Sequence, residues 1–322
     1  MSTSPRRVIL AGGSGFLGQL LARHLASRGW EPLVLTRTPS PHASFKEVAW
    51  DARTLGKWSE TLEGAAAVIN LAGRSVNCRY TGENRRAIMD SRVESTRVIG
   101  EAIARCAKAP ATWLNSGTAT IYTHTFGPPH DETSADFASV PEAKDEFSVE
   151  VARRWEHVLN EASAPRTRKV ALRITLVFGT VPGGVFQILR RLAKIGLGGR
   201  MGNGKQFVSW IHEEDFCRAV EWILQHDDLS GPINLAAPYP VTNAEMMQIF
   251  RSVCGLPMGL PASEWMLEVG ALFLRTETEL LLKSRRVVPG KLLAHSFQFQ
   301  FSKMEDALRD LEGRLQTGNQ SA

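Results

Sequence analysis

Apolar and polar positions alternate between two periods along this chain. Val8-Ile9-Leu10-Ala11 is a short apolar run that breaks at glycines and passes into apolar positions 17, 20, 21 and 25, which have helical spacing. Strand-like runs recur at Leu33–Thr36, at Val48-Ala49-Trp50-Asp51, at Ala67–Leu71 and at Thr112–Ser116. Between the last two, the pattern predicts a long helix from about Thr81 to Lys108 with Ile88, Ser95, Ile99, Ala102, Ile103 and Cys106 on one inward stripe. Ser91 and Arg92 fall on or beside that stripe, and a charged group there needs a partner, either a ligand or a buried carboxylate. A later helix gathers Phe147, Val151, Trp155, Val158 and Ala162 on one face, which reads as core. Strands alternating with helices predict an α/β fold, a doubly wound parallel sheet covered on both faces, with a second, smaller domain. The expected division assigns 1–179 and 206–240 to the sheet domain, 180–205 and 241–315 to a smaller lobe, and 316–322 to a loose tail, with Met1–Pro5 loose as well.

Composition narrows the class without naming a function. With 322 residues, 43% hydrophobic and 22% charged, the chain is of ordinary globular type. No apolar run approaches the roughly 18 to 20 residues that span a bilayer, and no secretory leader precedes the first strand, so a cytoplasmic protein without membrane contact is expected. Cys78, Cys106, Cys217 and Cys254 are scattered without ligand spacing, so free thiols are expected and no metal site. A net charge of +5 raises the question of nucleic acid, but the arginines between 74 and 105 alternate with Glu83, Asp90, Glu94 and Glu101 as on a solvated face. The expected partner is a small molecule, not nucleic acid, and a homodimer is left open.

The glycine turn carries the first chemical signal. In Gly12-Gly13-Ser14-Gly15-Phe16-Leu17-Gly18, the first glycine permits a tight turn, Gly15 lets the backbone approach a pyrophosphate, and Gly18 lets helix and strand pack closely. A dinucleotide's phosphates would then meet the free N–H groups of the helix start. At the end of strand two, Thr36-Arg37 stands where NAD-binding proteins place an acid, and none occurs between Glu31 and Glu47. Arg37 therefore suits the 2′-phosphate of NADP, its plain alternative being an exposed surface arginine. Trp50 and Asp51 at the third strand end, and Leu71, Ala72 and Gly73 at the fourth, complete the expected cofactor row, with Ser91 beside it.

These motifs carry a family resemblance. The glycine turn, Asn70-Leu71-Ala72-Gly73, Ser116-Gly117-Thr118-Ala119-Thr120-Ile121-Tyr122 and Leu172–Val177 together resemble an extended short-chain dehydrogenase/reductase. Gly202-Asn203-Gly204-Lys205-Gln206-Phe207-Val208-Ser209-Trp210-Ile211-His212 and the tail from Leu256 to Leu308, with Leu281–Pro289 inside it, resemble the atypical "epimerase family" proteins of the YfcH type with their small carboxy-terminal domain. The resemblance implies a Rossmann sheet, NADP, and a hydroxyl side chain followed by Tyr-x-x-x-Lys for proton transfer. Thr118 matches the hydroxyl, whereas the Tyr and Lys positions hold Phe147 and Val151. Tyr122 is then a second catalytic candidate, or a structural residue. Arg92, Gln206, Trp210 and His212 are the expected substrate contacts between the lobes, although His212 and Asp215 equally fit a buried hydrogen bond at a helix start. Two functions follow: an NADP(H)-dependent oxidoreductase or epimerase, with a nucleotide-sugar-like substrate, or a non-catalytic NADP(H)-binding regulatory protein.

Overall fold

The apolar runs of the sequence become strands, buried at 8–11, 33–36, 67–70 and 112–116 and partly exposed in the edge strand Lys46–Ala49. In the computed structural model, which describes residues 6–143, 145–182, 184–263 and 283–320, β1 (Arg6–Ala11) is followed by α1 (Phe16–Ser27), β2 (Trp30–Thr36), β3 (Lys46–Ala49) and β4 (Ala67–Asn70). The chain continues through α2 (Gly82–Arg105), β5 (Thr112–Thr118), α3 (Glu146–Glu161), β6 (Arg168–Ile174), β7 (Leu176–Phe178) and α4 (Val185–Leu192). After two short strands, β8 (Phe207–Val208) and β9 (Trp210–His212), come α5 (Glu213–Gln225), β10 (Gly231–Leu235), β11 (Val241–Thr242) and α6 (Asn243–Val253). Among the described residues, α7 (Gly290–Ala294) and α8 (Met304–Gln320) of the carboxy-terminal region follow.

Seven parallel strands form the sheet in the order β10-β6-β5-β4-β1-β2-β3. Val8, Ile9 and Leu10 of β1 are wholly buried, which requires helices on both faces, and α1 with α5 cover one while α2 with α3 cover the other. The order reverses between β1 and β4, and the strand ends on either side of that reversal open a crevice, the place where such sheets bind ligands. The doubly wound Rossmann architecture with a smaller carboxy-terminal region is thus present.

Particular side chains shape the strand ends at the reversal. Asn70, fully buried, donates from Nδ2 to Asn115 Oδ1 at 2.8 Å, and its own Oδ1 accepts from Ala72 N at 3.1 Å. This bond fixes the path of the chain as it leaves β4. The long second helix starts where the sequence puts it, with the Thr81 side chain accepting from Asn84 N, and ends at Arg105. Thr242 and Glu245 form the expected capping box at the start of α6.

The smaller region has its own core of Phe178, Phe186, Trp210, Met247 and Phe250 against Leu308 and Leu311 of α8. Residues 283–288 cross back onto the sheet domain: Ser209 Oγ donates to Arg285 O at 2.8 Å and accepts from Val287 N at 2.7 Å, while the Arg285 guanidinium pairs with the buried carboxylate of Asp145 at the start of α3. The tail departs from expectation. Residues 316–320 continue α8 instead of hanging loose, with the Thr317 hydroxyl bonded to the Gly313 carbonyl at 3.2 Å. The apolar face of α8 packed on α6 carries the helix onward; residues 1–5, 321 and 322 lie outside the described residues.

Candidate functional site

The turn between β1 and α1 is built from glycines with different tasks. Gly12 has φ of +73°, and a Cβ there would stand 2.8 Å from Ala72 Cα, so the turn presses against the exit of β4. A Cβ on Gly18 would lie 2.4 Å from Gly13 Cα, so only glycine lets α1 start this near the strand. Gly15 is unlike both, because an added Cβ would meet nothing nearer than Gly12 O at 3.6 Å. The space beside it is open, and α1 starts there with no side-chain cap and no acid in its first turn. The Thr36 hydroxyl donates to Ser14 Oγ at 3.1 Å, tying the loop to the end of β2.

From this turn a cavity of about 620 Å³ runs along the strand ends. Gly12, Gly15–Gly18 and Leu71–Gly73 line one end, and Ser116, Gly117, Thr118, Thr120, Ile174 and Thr175 the other. Tyr80, Ile88 and, from α3, Phe147, Val151 and Trp155 give it apolar walls. Its charged lining is Arg74, Arg92 and Lys283, and among the described residues no acid faces it.

Arg92 enters this cavity from α2. Its Nη1 donates to the carbonyls of Arg74 at 3.1 Å and Ile88 at 3.0 Å, and its guanidinium lies over the Trp155 ring, 5.0 Å from the centroid. Trp155 is held in turn by its Nε1, which donates to Thr96 Oγ1 at 3.0 Å. Burial brings the guanidinium down to about 10, against the opposing influence of the Tyr80 phenol. Thr118 Oγ1 donates to Thr120 Oγ1 at 3.1 Å and accepts from Thr120 N. Phe147 and Val151 are buried, as the core reading expects, but the face they occupy is the cavity wall as well.

Several expected contacts lie elsewhere. Tyr122 is fully buried away from the cavity, where its hydroxyl donates to Asn234 Oδ1 at 2.9 Å and accepts from Arg173 Nη1 at 2.7 Å. Burial pushes its phenol up to about 12 despite Arg173, and because its hydroxyl is held by Asn234 and Arg173 outside the cavity, the catalytic expectation is corrected. Gln206, Trp210 and His212 do not reach the crevice either. Gln206 Nε2 donates to the Met201 carbonyl at 3.0 Å, and Trp210, wholly buried among Phe178 and Phe250, donates to the Tyr239 carbonyl at 3.2 Å. His212 accepts from Glu214 N through Nδ1 at 3.1 Å as the cap of α5, with Nε2 3.2 Å from Asp310 Oδ2. Burial, with Arg314 nearby, lowers it to about 3. The apolar and polar composition of 202–212 served the second core, which the sequence pattern alone does not distinguish from a pocket.

At the outer end of the expected cofactor row, Arg37 is exposed and has no hydrogen bond or ion pair among the described residues. Trp50 turns inward against Trp58, ring centroids 5.3 Å apart, and Asp51 caps its own turn through Thr54, so Trp50 is core and not a ligand contact. Ser91 lies behind the cavity wall, accepting from Arg74 N at 2.9 Å, and positions the loop instead of lining the cavity. Gly13 tucks under the turn, 2.8 Å from Leu10 Cβ at its missing side chain. Tyr80 and Lys283 were not foreseen. Tyr80 sits in the irregular stretch before α2, and Lys283 comes from the far end of the chain, so no local period marks either.

Comparison with known proteins agrees with this geometry. The model of the NAD dependent epimerase/dehydratase family matches residues 8–236, which contain the glycine turn, nearly all of the sheet and every cavity-lining residue but Lys283. The chain belongs to that family. Residues 262–311 match a second model, a domain of unknown function, DUF1731. An epimerase family protein of Staphylococcus epidermidis, SERP0438, is 28% identical over 314 residues, covering 95% of this chain and 99% of its own. The human epimerase family protein SDR39U1 is 28% identical over 308 residues with the same coverage. The crystal structure of human SDR39U1 (isoform 2) with NADPH superposes with a TM-score of 0.83 at 28% identity, covering 95% of this chain and 98% of that one. A nucleoside-diphosphate sugar epimerase from Corynebacterium glutamicum, at 27% identity and a TM-score of 0.75, covers 96% of this chain and 58% of its own.

Proposed function

We propose that this member of the family is an NADP(H)-dependent oxidoreductase or epimerase acting on a small carbonyl or hydroxyl compound, with Tyr80 as proton donor and acceptor. The carrying observation is one continuous cavity that joins the glycine turn to Thr118 and Tyr80. The residues fit a dinucleotide: the space beside Gly15 is open to a pyrophosphate and the uncapped start of α1 faces it. Bound there, NADPH supplies a hydride. Arg37 would hold the 2′-phosphate, and the human relative's NADPH supports the choice of NADP over NAD. Thr118 would orient the substrate oxygen, and the Tyr80 hydroxyl would give that oxygen its proton and recover one from water. The name of the Corynebacterium relative makes a nucleotide-sugar-like compound one candidate substrate.

A second reading has its own observation. Phe147 and Val151 occupy the positions where the resembling enzymes carry Tyr and Lys, and a chain that has lost both would suit a non-catalytic protein that binds NADP(H) and reports its level. One experiment separates the two. NADPH oxidation is followed with a panel of aldehydes, ketones and nucleotide-sugar ketones, for the wild type and Tyr80→Phe. Turnover that falls by about 10²-fold or more in the variant, at unchanged NADPH affinity, supports the first reading. NADPH binding without turnover on any compound supports the second.

A further inference from the structure

The cavity has an imbalance that a dinucleotide alone does not remove. No acid lines it among the described residues, and one of its cations, Arg92, is set apart from the glycine turn, on α2 between Gly73 and Trp155. A Cβ on Gly73 would stand 3.4 Å from Arg92 Cζ, so the guanidinium is pressed flat between backbone and indole. Among the described residues, both hydrogen bonds of this side chain leave from Nη1, toward the carbonyls of Arg74 and Ile88. The edge formed by Nε and Nη2 has no protein acceptor among the described residues, and that is the edge whose parallel N–H groups grip a carboxylate or phosphate in bidentate fashion. A structural arginine at this depth would face an acid; here none of the described residues supplies one. The surroundings are apolar, with Tyr80, Phe147 and Val151 on the walls, so an anion meeting Arg92 would be poorly screened and firmly held.

We propose that Arg92 is the anchor of an anionic substrate, one whose carboxylate or phosphate pairs with its Nε–Nη2 edge while a flat apolar body lies along Tyr80, Phe147 and Val151. This rests on the reading of the cavity as a cofactor and substrate site, and it names the class of compound that site selects. The anchor sets where the rest of the substrate goes: the anion at α2, the reacting carbon toward Thr118.

The test uses the full chain saturated with NADPH and three probes of one shape: benzoate, phenyl phosphate and neutral benzyl alcohol, titrated by calorimetry and by saturation-transfer NMR. The expected result is that at least one anion binds about tenfold or more tightly than benzyl alcohol, the tighter of the two identifying the anionic group. Arg92→Gln should erase the preference, and Arg92→Lys should keep only part of it, since the charge remains and the fork does not. Melting curves and NADPH titrations of both variants show whether they are folded and loaded. The proposal is overturned if the alcohol binds as well as the anions, if neither anion binds, if Arg92→Gln retains the preference, or if NADPH displaces the anions, which would place them on the pyrophosphate end. The same titrations on protein without NADPH separate this from the wider reading: loss of NADPH binding defeats the cofactor assignment, whereas anion selectivity at Arg92 is measured independently of it.

Discussion

The rings of Tyr80 and Phe147 meet edge to face on the cavity wall, centroids 5.2 Å apart and planes at 72°. A phenol therefore stands beside the position where the resembling enzymes place theirs, carried by the stretch before α2 and not by α3. Phe147 is buried and Tyr80 half-buried, and both line the cavity.

The glycines of the first turn should separate by experiment. Gly18→Ala forces a methyl to within 2.4 Å of backbone and is expected to destabilise the fold by about 3 kcal/mol or more. Gly15→Ala meets only open space and should melt as the wild type does, yet bind NADPH at least about tenfold more weakly because the methyl occupies the phosphate's approach. Melting curves and fluorescence titrations on the two variants check both; a Gly15→Ala protein with native NADPH affinity would remove the pyrophosphate from this turn.

Arg37→Ala should cost NADPH binding about 1.5 to 3 kcal/mol, roughly one to two decades, and leave NAD binding unchanged. The side chain is exposed and unpaired among the described residues, so its removal disturbs nothing else. Calorimetric titration of both cofactors decides, and an equal loss for NAD and NADP would speak against a 2′-phosphate contact.

His212 should govern acid stability and not ligand binding. Burial keeps it neutral in the fold down to about 3, against 6.5 unfolded, so the unfolded chain binds one more proton between those values and stability falls as pH drops from about 6.5 toward about 3. His212→Asn keeps an acceptor for Glu214 N and removes the titration. Its melting temperature should depend less steeply on pH in that window, with NADPH affinity within about threefold, roughly 0.65 kcal/mol. An unchanged pH slope would show that the ring is already protonated in the fold.

Val151→Lys restores the expected ammonium at a cost. The side chain is apolar-walled and shares its cavity with Arg92, and no acid lines that cavity among the described residues. We expect a loss of about 2 kcal/mol or more in denaturant unfolding. A variant as stable as the wild type would mean that the cavity holds enough water to solvate the charge.

What the sequence made legible was whatever repeats locally. The short apolar runs and helical stripes marked the strands flanking the crevice, the stripe of α2 with Arg92 beside it, and the glycine turn, because each depends on neighbours within a few residues. The segment from Gln206 to His212 misled, since a tryptophan, an amide and a histidine in a glycine-rich run have the same composition whether they line a pocket or fill a core. Here Phe178 and Phe250, distant in sequence, claim Trp210. Tyr80 and Lys283 were missed for the complementary reason: the sheet reversal brings them to one cavity, and no local pattern encodes that meeting.

The strap at 283–288 bears on the order in which the protein is made. Asp145 and Ser209 are buried, and their partners lie in residues 285–287; Asp215 likewise waits for the backbone N–H groups of Gln300 and Phe301. During synthesis, which releases the chain from its amino terminus, α3 and α5 must emerge long before the groups that neutralise their ends. The sheet can pair early, but the cavity wall on α3 becomes rigid only when the arginine has arrived. Ribosome-stalled chains ending near residue 262 should therefore be cut by protease within 137–150 while β1, β2 and β4 stay protected, and the completed chain should resist at both.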